Sequence, residues 1–506
     1  MRMIRVACVL AILTAAVKVK ADVTPNSLFS NNAVFQRGVA VPVWGKARDG
    51  EKVTVNFAGQ RVSTVAQNGK WMVKLNPLKA GGPYAMIIKG DNLVTISNIM
   101  IGEVWLCSGQ SNMEFWIGKL AAANKEETLK DAQSNPQIRQ YLVPEHFYTA
   151  IPAPVDDAGG AWAVSDSVSA KKFTAVGYFF AKALYQRLKV PIGLINSTFG
   201  GTPMENWTST STLDSLPILR ELLTKYANAL KTYPERLRSF NDNKPQLKKQ
   251  FSIDSAAAVK AHAWIPNTPF SPAHPADRGG PGGLYNTMIV PLIPYAIKGV
   301  LWYQGEANAG HGVMYRTLFP AMIHNWRTAW KRPDLSFYFV QLPGWRDLDP
   351  LMREAQLRTW QNTPHTAMAV ITDLDDTVSV HPLNKQPVGA RLSLIARALT
   401  YGDKIEYSGP VYSSMKIEGN KIVLSFSHAA SGLVAKDGDL KEFIIAGDDK
   451  KFVPATAIIK GDKVLVSSQL VSHPTAVRMG WRNCPQPNLY NKDGLPATTF
   501  RTDFTP

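Results

Sequence analysis

The chain has 506 residues, of which 45% are hydrophobic and 10% aromatic, too apolar for a disordered protein and too long for one compact core. Its formal charge is +17, but the basic residues are scattered, and the densest run, KPQLKK at 244–249, reads as a solvated helix face. This pattern excludes a nucleic-acid-binding tail or motif and leaves a mild attraction for anions.

In chain order, residues 1–21 read as a signal peptide. Arg2 and Arg5 form a basic start, residues 6–17 an apolar core, and VKA ending at Ala21 a cleavage site. About a dozen apolar residues fall short of the roughly 20 that span a bilayer, so no membrane insertion is expected. The mature protein is expected in a periplasm or outside the cell. Losing Arg2, Arg5, Lys18 and Lys20 lowers the charge from +17 by four to +13. Cys8 leaves with the signal, and the remaining Cys107 and Cys484 are too few for a disulfide framework, so both are expected free and buried.

Residues 22–97 read as an N-terminal β-domain. AVPVWG, KVTVNFAG, RVSTV, WMVKL and YAMIIKG are short Val/Ile-rich runs divided by Gly, Asn and Asp turns. Residues 409–506 repeat that grammar as a C-terminal β-region. Between them, residues 98–408 alternate apolar strands (VWLCSG, PIGLINSTFGG, KGVLWYQGE, SFYFVQLPG, AMAVITDLD) with helical stretches such as FTAVGYFFAKALYQRLK and VGARLSLIARAL. That alternation predicts an α/β domain with a mostly parallel sheet and helices on both faces. A charged, helix-prone and then Pro-rich insertion interrupts it over about 209–280.

In such a sheet the chemistry lies at the carboxyl ends of the strands. Four stretches end there: Ser111 after VWLC, Gly200–Gly201 after GLINSTF, Gln304–Asn308 after GVLWY, and the Asp373–His381 loop after MAVIT. Acyl transfer needs a hydroxyl nucleophile, a base that titrates near neutrality and donors for an oxyanion. Ser111 supplies the first and His381 the second. The amides of Ser111 and of Gly200 or Gly201, with the side-chain amide of Gln304 or Asn308, supply the third.

GQSNM at 109–113, NSTFGGTPMENW at 196–207, LYNTMIVPLIPYAIKGVLWYQGEAN at 284–308, HPLNKQPVGARL at 381–392 and NLYNKDGLPATTFRTD at 488–503 together resemble the sialate O-acetylesterase family of the SGNH hydrolase superfamily. The resemblance implies a flavodoxin-like three-layer α/β/α catalytic domain with accessory β-sandwich regions at both ends. It also implies removal of acetyl esters from carbohydrates, sialic acids above all, without cofactor. Ser111 matches the family's nucleophile and His381 its catalytic histidine. One departure stands out. The family places a carboxylate two or three positions before the histidine, and this chain has Ser379 and Val378 there, in DLDDTVSVHP. Asp376 or Asp375 folding back, a Ser379 hydroxyl or backbone carbonyl holding the imidazole, and a slow or inactive enzyme are the three open outcomes.

Among other residues, Arg353 suits a substrate carboxylate or a surface salt bridge, and Trp116 and Trp207 suit a sugar face or the core. Glu306 suits loop orientation better than direct catalysis. An acetyl xylan or other polysaccharide acetylesterase fits the same residues. So does a carbohydrate-binding protein of impaired activity. A glycoside hydrolase would use Glu306 with Asp373 or Asp376, but would leave Ser111, Gly200 and Asn308 without roles.

Overall fold

The computed structural model describes residues 22–263, 265–374 and 379–504. The expected signal peptide over 1–21 lies outside them, as do Asp375 and Asp376.

Seven strands form the central sheet, in the order Ala161–Val164, Ile138–Leu142, Ile192–Thr198, Leu93–Gly109, Gly299–Tyr303, Ser336–Gln341, Thr366–Val370. All neighbours run parallel except the first pair. The Ile192–Thr198, Gly299–Tyr303 and Thr366–Val370 strands are buried at every position, as expected for strands covered on both faces. Among the described residues eight α-helices accompany them: α1 (Ser111–Glu114), α2 (Ala122–Gln133), α3 (Ala175–Leu188), α4 (Thr210–Ser215), α5 (Pro217–Lys260), α6 (Gly312–Trp330), α7 (Pro350–Asn362) and α8 (Gln386–Leu399).

Strand alternation decides which helices cover which face. Trp105 meets Phe180 of α3 edge-on at 5.1 Å, and Cys107 lies on that same face against Gly177 of α3. Trp302 pairs in register with Ser108, one residue out of phase. It therefore faces the other way, where Trp326 of α6 sits at 5.7 Å. α8 packs on α3, and α7 on α6. Local chemistry sets the helix ends. The Thr174 hydroxyl accepts from the Gly177 amide at the start of α3, which closes on Lys189 in the left-handed conformation. Asp349 caps α7 with Pro350 in its first turn.

The Leu93–Gly109 strand is 17 residues long. Its first half pairs with Gly81–Lys89 and Val34–Gln36 of the N-terminal β-region, and its second half lies in the central sheet. A boundary drawn between residues 97 and 98 thus falls inside one strand. One hydrophobic cluster runs from Val23 to Val411 and takes in both regions. The C-terminal strands enclose a separate cluster around Ile422, Val464, Val477 and Phe500. The two terminal β-regions therefore do not share a sandwich. The insertion over 209–280 holds α4 and the 44-residue α5, followed by coil. Cys107 is buried and Cys484 half-buried, and no disulfide joins the two. Among the described residues no helix is long and apolar enough to cross a membrane.

Candidate active site

The nucleophile candidate sits at a turn that only glycine permits. Gly109, the last residue of its strand, has φ +134°, and a Cβ there would lie 2.2 Å from the Tyr303 carbonyl oxygen. The next residue, Gln110, accepts from the amides of Gly305 (3.4 Å) and Ala307 (3.1 Å) through its side chain. This joins the ends of two adjacent parallel strands. Ser111 then opens α1, half-buried, with its hydroxyl clear of the sheet.

His381 lies between the Thr366–Val370 strand and α8, 270 residues downstream, and its Nε2 stands 2.8 Å from Ser111 Oγ. Burial first, then the charges of Lys385 and Lys119, hold the imidazole pKa below its usual 6.5. Ser379 meets the His381 backbone: its hydroxyl accepts from the His381 amide at 3.0 Å and donates to the His381 carbonyl at 3.4 Å.

Of the two candidate glycines, Gly200 is the neighbour of the serine. A Cβ on it would stand 3.5 Å from Ser111 Cβ, whereas one on Gly201 would strike the guanidinium of Arg278, which donates to the Gly201 carbonyl at 3.0 Å. The two candidate amides also differ. Gln304 is fully buried; its Nε2 donates to Thr202 O (3.2 Å) and Asn308 Oδ1 (2.8 Å), and its Oε1 accepts from the Tyr315 hydroxyl. Both of its N–H groups are spent. Asn308 donates one N–H to Glu205 at 2.9 Å and retains a second. Glu205 is half-buried, and desolvation chiefly raises its carboxyl pKa.

The family model for carbohydrate esterases of the sialic acid-specific acetylesterase type matches residues 101–240 and 276–392, which contain all four stretches. The chain belongs to this family. Rat sialate O-acetylesterase is 30% identical over 95% of this chain and 94% of its own length. The human sialate O-acetylesterase is 28% identical over 94% and 91%. A crystal structure of a carbohydrate acetylesterase from Xanthomonas citri superposes with a TM-score of 0.80 at 35% identity, covering 96% of this chain and all of the other. The protein is accordingly a carboxylic ester hydrolase of the acetylesterase type.

Three expected site residues lie elsewhere in this esterase. Trp207 is fully buried, edge-on to Trp302 at 6.0 Å, with its indole N–H on Thr202 Oγ1; it is a core residue and not a sugar platform. Arg353 is fully buried in α7 and donates to the carbonyls of Gly480, Arg482 and Asn483, so it clasps the C-terminal region. Gln304 is a loop anchor, as its spent N–H groups require. Trp116 is half-buried near α1, with the Lys119 ammonium 4.7 Å from its ring centre. Asp373 is held by Arg391 through two bonds of 2.6 and 2.7 Å, which removes it from the pair a glycosidase would need.

The sequence reading passed over Asn112 and Lys385. Asn112 donates to Glu306 Oε1 (2.5 Å) and to the Val380 carbonyl (2.9 Å), and accepts from Lys385 Nζ (2.5 Å). Their only sequence signal was polarity at positions next to buried elements, the Asn of GQSNM and the Lys of HPLNK. A cleft of about 450 Å³ adjoins the site, between α5 and the 273–281 coil, with Gly201, Glu205, Lys225, Tyr226, Arg278 and His311 on its walls.

Proposed function

We propose that this esterase removes O-acetyl groups from sialic acids, with Ser111 as nucleophile and His381 as base. The observation that carries this reading is the 2.8 Å contact between His381 Nε2 and Ser111 Oγ at the carboxyl edge of a parallel sheet. That edge is also where strand order reverses. The six parallel strands run 2-3-1-4-5-6 in chain order, and with the outermost of them, Ile138–Leu142, set aside the other five follow 2-1-3-4-5. This supports a flavodoxin-like SGNH fold.

In the mechanism proposed, the Nδ1–H tautomer of His381 leaves Nε2 free to accept. Ser111 Oγ attacks the acetyl carbonyl carbon as its proton passes to Nε2. The carbonyl oxygen becomes an oxyanion, held by the Ser111 and Gly200 amides and the second N–H of Asn308. The tetrahedral centre collapses, the bond to the sugar oxygen breaks, and that oxygen takes the proton from the imidazolium. Water, deprotonated by the same nitrogen, then cleaves the acetyl-serine to acetate. The sugar lies in the adjoining cleft, where Lys225 and Arg278 suit an anionic glycan. Export, with residues 1–21 removed, belongs to this reading, as do accessory β-sandwich ends.

A broader carbohydrate acetylesterase is the second reading, favoured by the likeness to the Xanthomonas citri carbohydrate acetylesterase. A panel of O-acetylated sialosides and acetylated xylan decides between them: faster acetate release from the sialosides is expected, and preference for the neutral polymer overturns the sialate assignment. Ser111→Ala is expected to lower turnover about 10⁴-fold on every acetyl ester. Undiminished release by that variant would remove the serine mechanism.

A further inference from the structure

The reactive contact between Ser111 and His381 is doubled by another contact one residue away on each side. Asn112 follows Ser111, Val380 precedes His381, and the Asn112 amide donates to the Val380 carbonyl at 2.9 Å. Asn112 is fully buried and its side chain makes two further bonds, both to charged residues. Its carbonyl accepts from Lys385 Nζ and its amide donates to Glu306 Oε1, each at 2.5 Å. The amide dipole is thus stretched between an amine and a carboxyl group, which strengthens all three bonds in a buried site.

The two ends of this chain are costly to bury. Lys385 Nζ lies 5.0 Å from the Phe115 ring centre and 5.3 Å from that of Tyr303, in an apolar cage. Glu306 Oε2 is buried with no hydrogen-bond partner among the described residues. Burial pushes the Lys385 ammonium down to about 7 and the Glu306 carboxyl up, and each group's charge partly offsets the other's shift. Such a pair is a poor source of stability, because well-packed apolar residues of the same volume do as well or better. What it achieves here is geometric: the turn after the Gly299–Tyr303 strand, the start of α1 and the His381 segment all meet at one amide.

We propose that Lys385, Asn112 and Glu306 form a buried positioning relay that fixes His381 on Ser111 through the Val380 carbonyl. This rests on the esterase reading above. The relay does not touch substrate. It orients the base through its backbone, and it places a cation near the ring. Among the described residues, the charged groups that bear on the imidazole are Lys385 from its own segment and Lys119 from the turn after α1, which itself pairs with Glu114 at 3.7 Å. Glu306, on the turn at 306–308, is tied to the same Asn112 amide.

The test uses the whole chain, with 4-nitrophenyl acetate as probe. Lys385→Met and Glu306→Ala are each expected to lower kcat on the order of 100-fold with KM changed less than about 3-fold, since a displaced base costs turnover and not binding. Their combination is expected to be no worse than either alone. Glu306→Gln, which keeps an oxygen facing Asn112, is expected to recover at least about ten-fold over Glu306→Ala. Lys385→Met is further expected to move the acid limb of the kcat profile to higher pH, because removing a neighbouring cation favours the imidazolium. A purely structural residue would not shift that limb. If both single variants stay within about 3-fold of wild type with an unmoved limb while Ser111→Ala is dead, the relay is wrong and the esterase stands. If wild type hydrolyses no acetyl ester, the esterase reading fails and the relay with it. Should Lys385→Met not fold, as circular dichroism would show, the comparison of Glu306→Ala with Glu306→Gln carries the test.

Discussion

His381 can take the Ser111 proton only while its imidazole is neutral. Burial and the charges of Lys385 and Lys119 depress its pKa below 6.5, so the neutral form persists to lower pH than in a free histidine. The acid limb of kcat/KM, which reports the free enzyme, is therefore expected to have its midpoint below 6.5. Initial rates from about pH 4.5 to about 8 check this, and a midpoint above the free value would require a carboxylate beside the ring. The surroundings explain the direction: the ring is partly desolvated, and the charges that bear on it among the described residues, Lys385 and Lys119, both disfavour the imidazolium. A carboxyl shows the opposite sign. The Glu145 carboxyl is pushed up to about 7, first by desolvation and then by the charge of Glu114.

Helices α3 and α8 carry the site at the level of elements, because α8 follows the His381 segment and α3 backs the strand that delivers Ser111. Their contact is close enough to need a missing side chain. A Cβ on Gly389 of α8 would lie 2.6 Å from the Val176 carbonyl and 2.7 Å from the Phe180 amide nitrogen, both backbone atoms of α3 that cannot swing away. Gly389→Ala is expected to destabilise the protein by roughly 1–3 kcal/mol. That corresponds to a fall of a few degrees in Tm, read by thermal denaturation. An unchanged Tm would mean that the helices separate freely, and the placement of His381 would then need another explanation. Such close backbone approach was legible only as a glycine within an apolar helix. The sequence VGARLSLIARAL predicts the helix and its buried face but does not name the element that fills the gap.

The whole molecule is held together by different means at its two ends. The N-terminal β-region shares a strand and a core with the catalytic sheet, so it cannot come away without breaking Leu93–Gly109. The C-terminal region has a core of its own and is fastened to α7 by specific polar contacts. Arg501 bonds Glu354 at 2.8 Å, and Arg353 reaches three consecutive-loop carbonyls between 480 and 483. Arg353→Met leaves those carbonyls without their donor and is expected to cost on the order of 3 kcal/mol. Limited proteolysis checks where the cost falls: earlier cleavage in the 410–504 segment is expected, with the central sheet protected. Early cleavage throughout would show that the chain unfolds as one unit instead.

Much of this protein was readable in one dimension. Strand–helix alternation dictated a parallel sheet, because apolar runs a few residues long, separated by amphipathic helices, have no other compact arrangement. Ser111 and His381 stood out for a related reason: each follows a buried strand in a short polar segment, where a parallel sheet gathers its chemistry. Burial and pairing were decided only in three dimensions. Trp207 reads as a sugar platform or a core residue, and Arg353 as a partner for a substrate carboxylate or for a surface salt bridge, and the packing of α6 and the C-terminal loop put both inside. Asn112, Glu306 and Lys385 come from three stretches up to 273 residues apart, and nothing local to any of them marks the partners it needs. Hydrogen bonds act over about 3 Å of space whatever the separation along the chain, so the fold alone determined which distant polar groups would meet.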